Sequence, residues 1–102
     1  MTELNTDHFL ILSAILFIIG MMGVLIRRNM LIIFMCVELM VTAANISLVA
    51  FGWENDSLRG QSFVIFTIAV AAAEAAVGLA IILALSRRIG TVDIDDMRAL
   101  RD

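Results

Sequence analysis

Two glutamates, Glu38 and Glu74, sit inside stretches that are otherwise apolar enough to cross a bilayer. A charged side chain at the bilayer centre costs a few kcal/mol even on the mildest insertion scale, so intramembrane carboxylates are functional by default. The chemistry open to such a group is narrow: it takes a proton, holds it and passes it on. Burial disfavours the charged form of a carboxyl group, and a second carboxyl nearby disfavours it further. A pair placed together can therefore load and release protons as a unit. The alternative is structural, with each glutamate protonated and hydrogen-bonded to a neighbouring helix.

The residues three and four positions away share a helix face with each glutamate. For Glu38 that face continues through Thr42 and Asn45. For Glu74 it takes in Thr67, Ala71 and Gly78. Small residues let helices approach closely in lipid, and polar ones bond across the contact. The run AVAAAEAAVGLA, residues 69–80, therefore reads as a packing surface with a carboxylate set in it, turned inward. Thr42 and Asn45 read either as parts of a polar path or simply as interhelical hydrogen-bond partners.

Three elements position these groups. A spanning helix needs about 20 apolar residues to cross a hydrocarbon core roughly 30 Å thick. Residues 8–26, 30–52 and 62–85 qualify. The apolar runs are continuous, not alternating, and an open sheet leaves its backbone unsatisfied in lipid, so an all-α membrane fold with three transmembrane helices is expected. Arg27-Arg28-Asn29 joins spans one and two, WENDSLRGQ (53–61) joins two and three, and a polar tail covers 86–102. Arg27, Arg28, Arg87, Arg88, Arg98 and Arg101 fall on one side and only Arg59 on the other. The excess of arginine places that side in the cytoplasm, with the N-terminus outside, and Trp53 stands where an interfacial aromatic belongs. At 1.5 Å per residue Glu38 lies about 12 Å into span two and Glu74 roughly 16 Å from the cytoplasmic end of span three. The two carboxylates thus reach similar depth.

Composition excludes most other classes. The chain is 62% hydrophobic over 102 residues, room for one membrane domain and no separate catalytic module. All seven basic residues are arginine, and they form no stripe of the kind nucleic acid requires. Cys36 is the single cysteine, and no Cys/His cluster has metal-ligand spacing. The segment 1–7 carries Glu3 and Asp7 without a basic residue, unlike the start of a signal peptide, so span one is expected to be retained. Met21, Met22, Met30, Met35 and Met40 read as adaptable packing. His8 reads as a wet interfacial residue. Arg27 and Arg28 serve either as topology signals alone, or as a positive mouth or a partner for an acid on a neighbouring subunit. Three helices pack around a dry seam, so further helices from other chains are needed to complete any proton route.

The segments RRNMLIIFMCVELM (27–40), LRGQSFVIFTIAVAAAEAAVGLAI (58–81) and TVDIDD (91–96) resemble the K subunits of proton-pumping NADH:quinone oxidoreductase, the bacterial complex I. The mitochondrial counterpart is the 4L subunit, and the resemblance covers nearly the whole chain. It implies a membrane-arm subunit that carries no cofactor of its own, with flavin, iron–sulfur clusters and quinone on partner subunits. It implies location in the cell inner (plasma) membrane, beside antiporter-like subunits. It assigns Glu38 and Glu74 as proton-relay sites, with Arg27, Arg28, Thr42 and Asn45 in support. Many members read ELMLNAVNL where this chain reads ELMVTAANI, so Thr42 stands in place of an asparagine while Asn45 matches one. The stretch LRGQ is similar to that of cyanobacterial and plastid relatives, which take electrons from ferredoxin and lie in thylakoid-type membranes. Two rival readings remain at this level. One is the small subunit of a multisubunit Mrp-type sodium/proton antiporter. The other is a helix clamp that holds larger subunits together.

Overall fold

The structure, a computed structural model, describes residues 4–56 and 58–96. Glu3, Arg98 and Arg101, which entered the charge argument, lie outside the described residues. Three helices follow one another: α1 (Thr6–Ile26), α2 (Met30–Glu54) and α3 (Leu58–Ile89). All three are long and apolar enough to cross a membrane.

Each boundary has a local cause. Asn5 caps α1: its side chain accepts from the His8 backbone N–H at 3.3 Å, and the Asn5 N–H donates to His8 Nδ1 at 3.1 Å. This reciprocal arrangement satisfies two donors that a helix start leaves unpaired. His8, read as an interfacial residue, is exposed and also completes this cap. Asn29 caps α2, its Oδ1 accepting from Leu31 N at 2.9 Å and Ile32 N at 3.3 Å. The 55–56 turn between α2 and α3 places Asp56 at φ +50, a left-handed conformation that aspartate tolerates better than most residues.

α3 is 32 residues long and exceeds the expected span at both ends. At 1.5 Å per residue it covers about 48 Å, well beyond the hydrocarbon core. Leu58–Gln61 and Ser86–Ile89 are polar enough to leave lipid but contain no helix breaker beyond Gly60, and arginine is a good helix former. Gly90, at φ +83, ends α3 by adopting a conformation that costs glycine little.

The packing is linear: α2 lies between α1 and α3 and makes the main contacts with both. The molecule measures 56 × 25 × 21 Å. Among the described residues the buried apolar ones are Ala43, Ala50, Val64 and Ile82. Leu25, Ile65, Phe66 and Met35, by contrast, are more than 60% exposed. Such a surface suits lipid or neighbouring helices, because the apolar side chains gain nothing by clustering when the solvent is itself hydrocarbon. Phe9 and Trp53 meet edge to face, ring centroids 6.4 Å apart, at the end of the bundle opposite the Arg27–Asn29 loop.

Candidate functional site in the α2–α3 seam

Three contacts set the register of α2 against α3. The Phe34 ring fills the space over Gly78, so a Cβ at position 78 would come within 2.6 Å of it. Thr67 Oγ1 donates to Asn45 Oδ1 at 2.8 Å. Gly52 faces Gly60, with a Cβ at 52 reaching the Gly60 backbone at 3.5 Å. The helices are antiparallel and the register is constant. The step of eleven positions from 34 to 45 on α2 answers the step of eleven from 78 back to 67 on α3, and the step of seven from 45 to 52 answers that of seven from 67 back to 60. The same rule advances Phe34 by four to Glu38 and moves Gly78 back by four to Glu74. The two carboxylates are level.

They do not share one surface. Glu38 is half-buried and lines a groove of about 480 Å³ between α2 and α3, with Thr42, Asn45, Val64, Ile68 and Ala71 among its walls. Glu74 is exposed and lies outside that lining. The helical repeat explains the difference: relative to Ala71, Ile68 turns about 60° to one side and Glu74 about 60° to the other. The groove opens on the first side and Glu74 faces the second. The inward orientation expected for the whole Glu74 stripe therefore holds for Thr67, Ala71 and Gly78, which are half-buried, and not for Glu74 itself. Likewise Ala69, Ala72, Ala73, Ala76 and Ala80 of the alanine run are exposed. Only part of that run packs within the chain. Among the described residues neither carboxylate has a side-chain hydrogen bond or ion pair.

The supporting polar residues divide the same way. Asn45 forms the bond to Thr67 described above, a polar tie across the seam. Thr67 Oγ1 also lies 2.8 Å from the Val64 carbonyl one turn back, so its single proton is shared between two acceptors. Thr42 donates to the Glu38 backbone carbonyl at 2.9 Å. Threonine commonly bonds one turn back in this way. Both Thr42 and Glu38 line the groove.

At the arginine end, Arg28 pairs with Asp95 at 3.1 Å, both side chains well exposed. The acid comes from this chain's own tail. Arg27 is exposed, and its N–H closes α1 on the Gly23 carbonyl at 3.0 Å. The sequence reading missed Ser13, which is 5% exposed and bonds both the Ala43 carbonyl at 2.5 Å and the Ser47 hydroxyl at 2.6 Å. The signal was present: Thr6, Ser13 and Gly20 recur at intervals of seven, as do Ala43 and Ala50 on the facing helix. Cys36 rests against Gly20 and Gly23 in the same seam. Among the described residues no group of three or more His, Cys, Asp or Glu side chains is gathered as metal ligands.

The fold and this seam define a small polytopic α-helical membrane protein with carboxyl groups level in its spanning helices. Comparison with known proteins narrows the class. The family model for NADH-ubiquinone/plastoquinone oxidoreductase chain 4L matches residues 8–102. NADH-quinone oxidoreductase subunit K of Thermomicrobium roseum is 63% identical over 102 residues, covering all of both chains. The subunit of the same name from Flavobacterium johnsoniae is 45% identical, covering 99% of this chain and 95% of its own. That from Anaeromyxobacter is 52% identical, covering 92% and 94%. The chain belongs to the chain 4L family of NADH-ubiquinone/plastoquinone oxidoreductase. These relatives are named as oxidoreductase subunits and none as an antiporter component.

Proposed function

We propose that this chain supplies Glu38 and Glu74 as protonatable sites on the proton path of the oxidoreductase. It is a multi-pass inner-membrane subunit of a proton-translocating NADH-quinone oxidoreductase. Electron transfer takes place on partner subunits, which carry the flavin, the iron–sulfur clusters and the quinone site. Electrostatic or conformational change there shifts the proton affinity of the two carboxyl groups, and protons move between the quinone end and the antiporter-like subunits. The arginine end faces the cytoplasm and the N-terminus faces out.

The observation that carries this reading is the register that makes Glu38 and Glu74 level in antiparallel spanning helices. Their placement on opposite flanks of the seam gives each a distinct part. Glu38 opens on a groove furnished with Thr42 and Asn45, polar groups able to hold a water chain. Glu74 faces outward among alanines, where a helix of another subunit can approach closely and meet it. The chain is thus one wall of the path, and partner helices complete it. Arg27, exposed beside the groove's helix at the cytoplasmic end, adds positive potential at the mouth.

Glu38→Gln, Glu74→Gln and the double substitution test this in the assembled complex, with quinone reduction and proton uptake measured together. Each single variant assembles and shows depressed coupled turnover, and the double variant loses pumping. Normal pumping in the double variant would overturn the relay role.

A further inference from the structure

The segment after α3 does not trail into water. Gly90 reverses the chain, and residues 91–96 return to the Arg27–Asn29 loop. Met30 N donates to the Val92 carbonyl at 2.7 Å, and Ile94 N donates to the Arg28 carbonyl at 2.9 Å. These bonds frame an antiparallel bridge between Asn29 and Asp93. Two side chains hold the segment in shape: Asp93 N donates to Thr91 Oγ1 at 3.1 Å, and Asp95 N to Asp93 Oδ1 at 2.8 Å. The Arg28–Asp95 pair closes over the bridge at 3.1 Å.

The placement of the Met30 bond matters most. A helix start leaves its first N–H groups without intrahelical partners. Asn29 serves Leu31 and Ile32. That of Met30 is satisfied by the tail. The helix that carries Glu38 is therefore capped in part by the chain that follows the helix carrying Glu74. We propose that residues 91–96 form a positioning strap, which ties the start of α2 to the end of α3 and holds Glu38 level with Glu74. Asp93, Asp95 and Arg28 are its positioning residues. Their significance for pumping rests on the relay reading above, whereas the strap itself is a matter of geometry and is tested separately.

The test is cysteine cross-linking in the intact complex in native membranes, with Cys36→Ala as background. Phe34→Cys with Gly78→Cys reports the native register. Phe34→Cys with Ile82→Cys reports a one-turn slip or opening at the strap end. With the strap intact the first pair cross-links and the second scarcely does. Asp95→Arg, or Ile94→Pro, which removes the N–H bonded to Arg28, raises the second product several-fold at the expense of the first. Adding Arg28→Asp to Asp95→Arg restores the native pattern, which a loss of general stability does not predict. Amide exchange at Met30 accelerates in parallel. If Asp95→Arg leaves both the cross-link pattern and Met30 exchange unchanged, the strap is refuted, whatever the glutamate variants show. If Ile94→Pro prevents assembly, Asp95→Arg and its charge-swapped partner decide the question.

Discussion

The two seams of this molecule are built on opposite plans. The α1–α2 seam is made of the smallest residues the sequence offers: Ser13 and Gly20 on one side, Ala43, Ser47 and Cys36 on the other. Its polar groups are satisfied within the seam, and a Cβ added at Gly20 would come within 2.8 Å of the Cys36 carbonyl. The α2–α3 seam has close contacts at 34/78, 45/67 and 52/60, with a groove beside them. Glu38 opens on that groove. A close-packed seam thus holds α2 on one side, while a more open seam on the other displays Glu38. Close backbone approach gives rigidity in lipid, where the hydrophobic effect gives little.

Widening the first seam is expected to have the largest effect. In Gly23→Val the side chain would overlap the Cys36 sulfur, and in Gly20→Val it would meet the Cys36 backbone, which cannot rotate away. Overpacking of this kind costs about 1–3 kcal/mol or more. Both variants lower the yield of assembled complex on native gels, and Gly23→Val together with Cys36→Gly recovers part of it. Recovery is not expected for Gly20→Val with the same partner change. A seam in which both glycine variants assembled normally would not be a close-packed one.

Next come the polar ties. Ser13→Ala removes two bonds from the α1–α2 seam and Thr67→Val one from the α2–α3 seam. Interhelical bonds in membranes average roughly 0.6 kcal/mol and reach about 1–2. Ser13→Ala therefore lowers the thermal midpoint of the complex more than Thr67→Val. Thr67→Val frees Asn45 and alters coupled turnover, whereas Ser13→Ala leaves the ratio of pumping to quinone reduction unchanged. The reverse pattern would assign the functional seam to α1–α2.

The smallest effect belongs to the exposed ion pair. Asp95→Asn removes a surface charge pair worth about 0–1 kcal/mol, and salt screens what there is. Thermal stability changes little, and the small difference from the parent shrinks further as ionic strength is raised. A large loss that persists at high salt would mean that Asp95 has a partner beyond Arg28.

Much of this was legible in the chain. Continuous apolar runs of the right length demanded three helices, because only helices and closed barrels satisfy their backbone in lipid. Counting residues from the helix ends was enough to bring Glu38 and Glu74 to one depth, since rise per residue is fixed. The extension of α3 to Ile89 was not legible from hydropathy, which reports where lipid ends and not where helix ends. The seven-residue spacing of Thr6, Ser13 and Gly20 on α1 carries little hydropathy contrast, and their burial shows only once α2 packs against them.

What the sequence determined by itself was periodic: the three spans, the short loops between them and the similar depth of the two carboxylates. What only the tertiary structure decided was azimuthal and non-local. Which way Glu74 faces depends on where α3 meets α2, and a difference of about 60° around the helix separates the groove from the outer surface. The return of residues 91–96 to Asn29 is carried mainly by backbone hydrogen bonds, which any sequence can make. Composition does not announce such bonds; they form because the Gly90 reversal brings the tail beside an unpaired helix start.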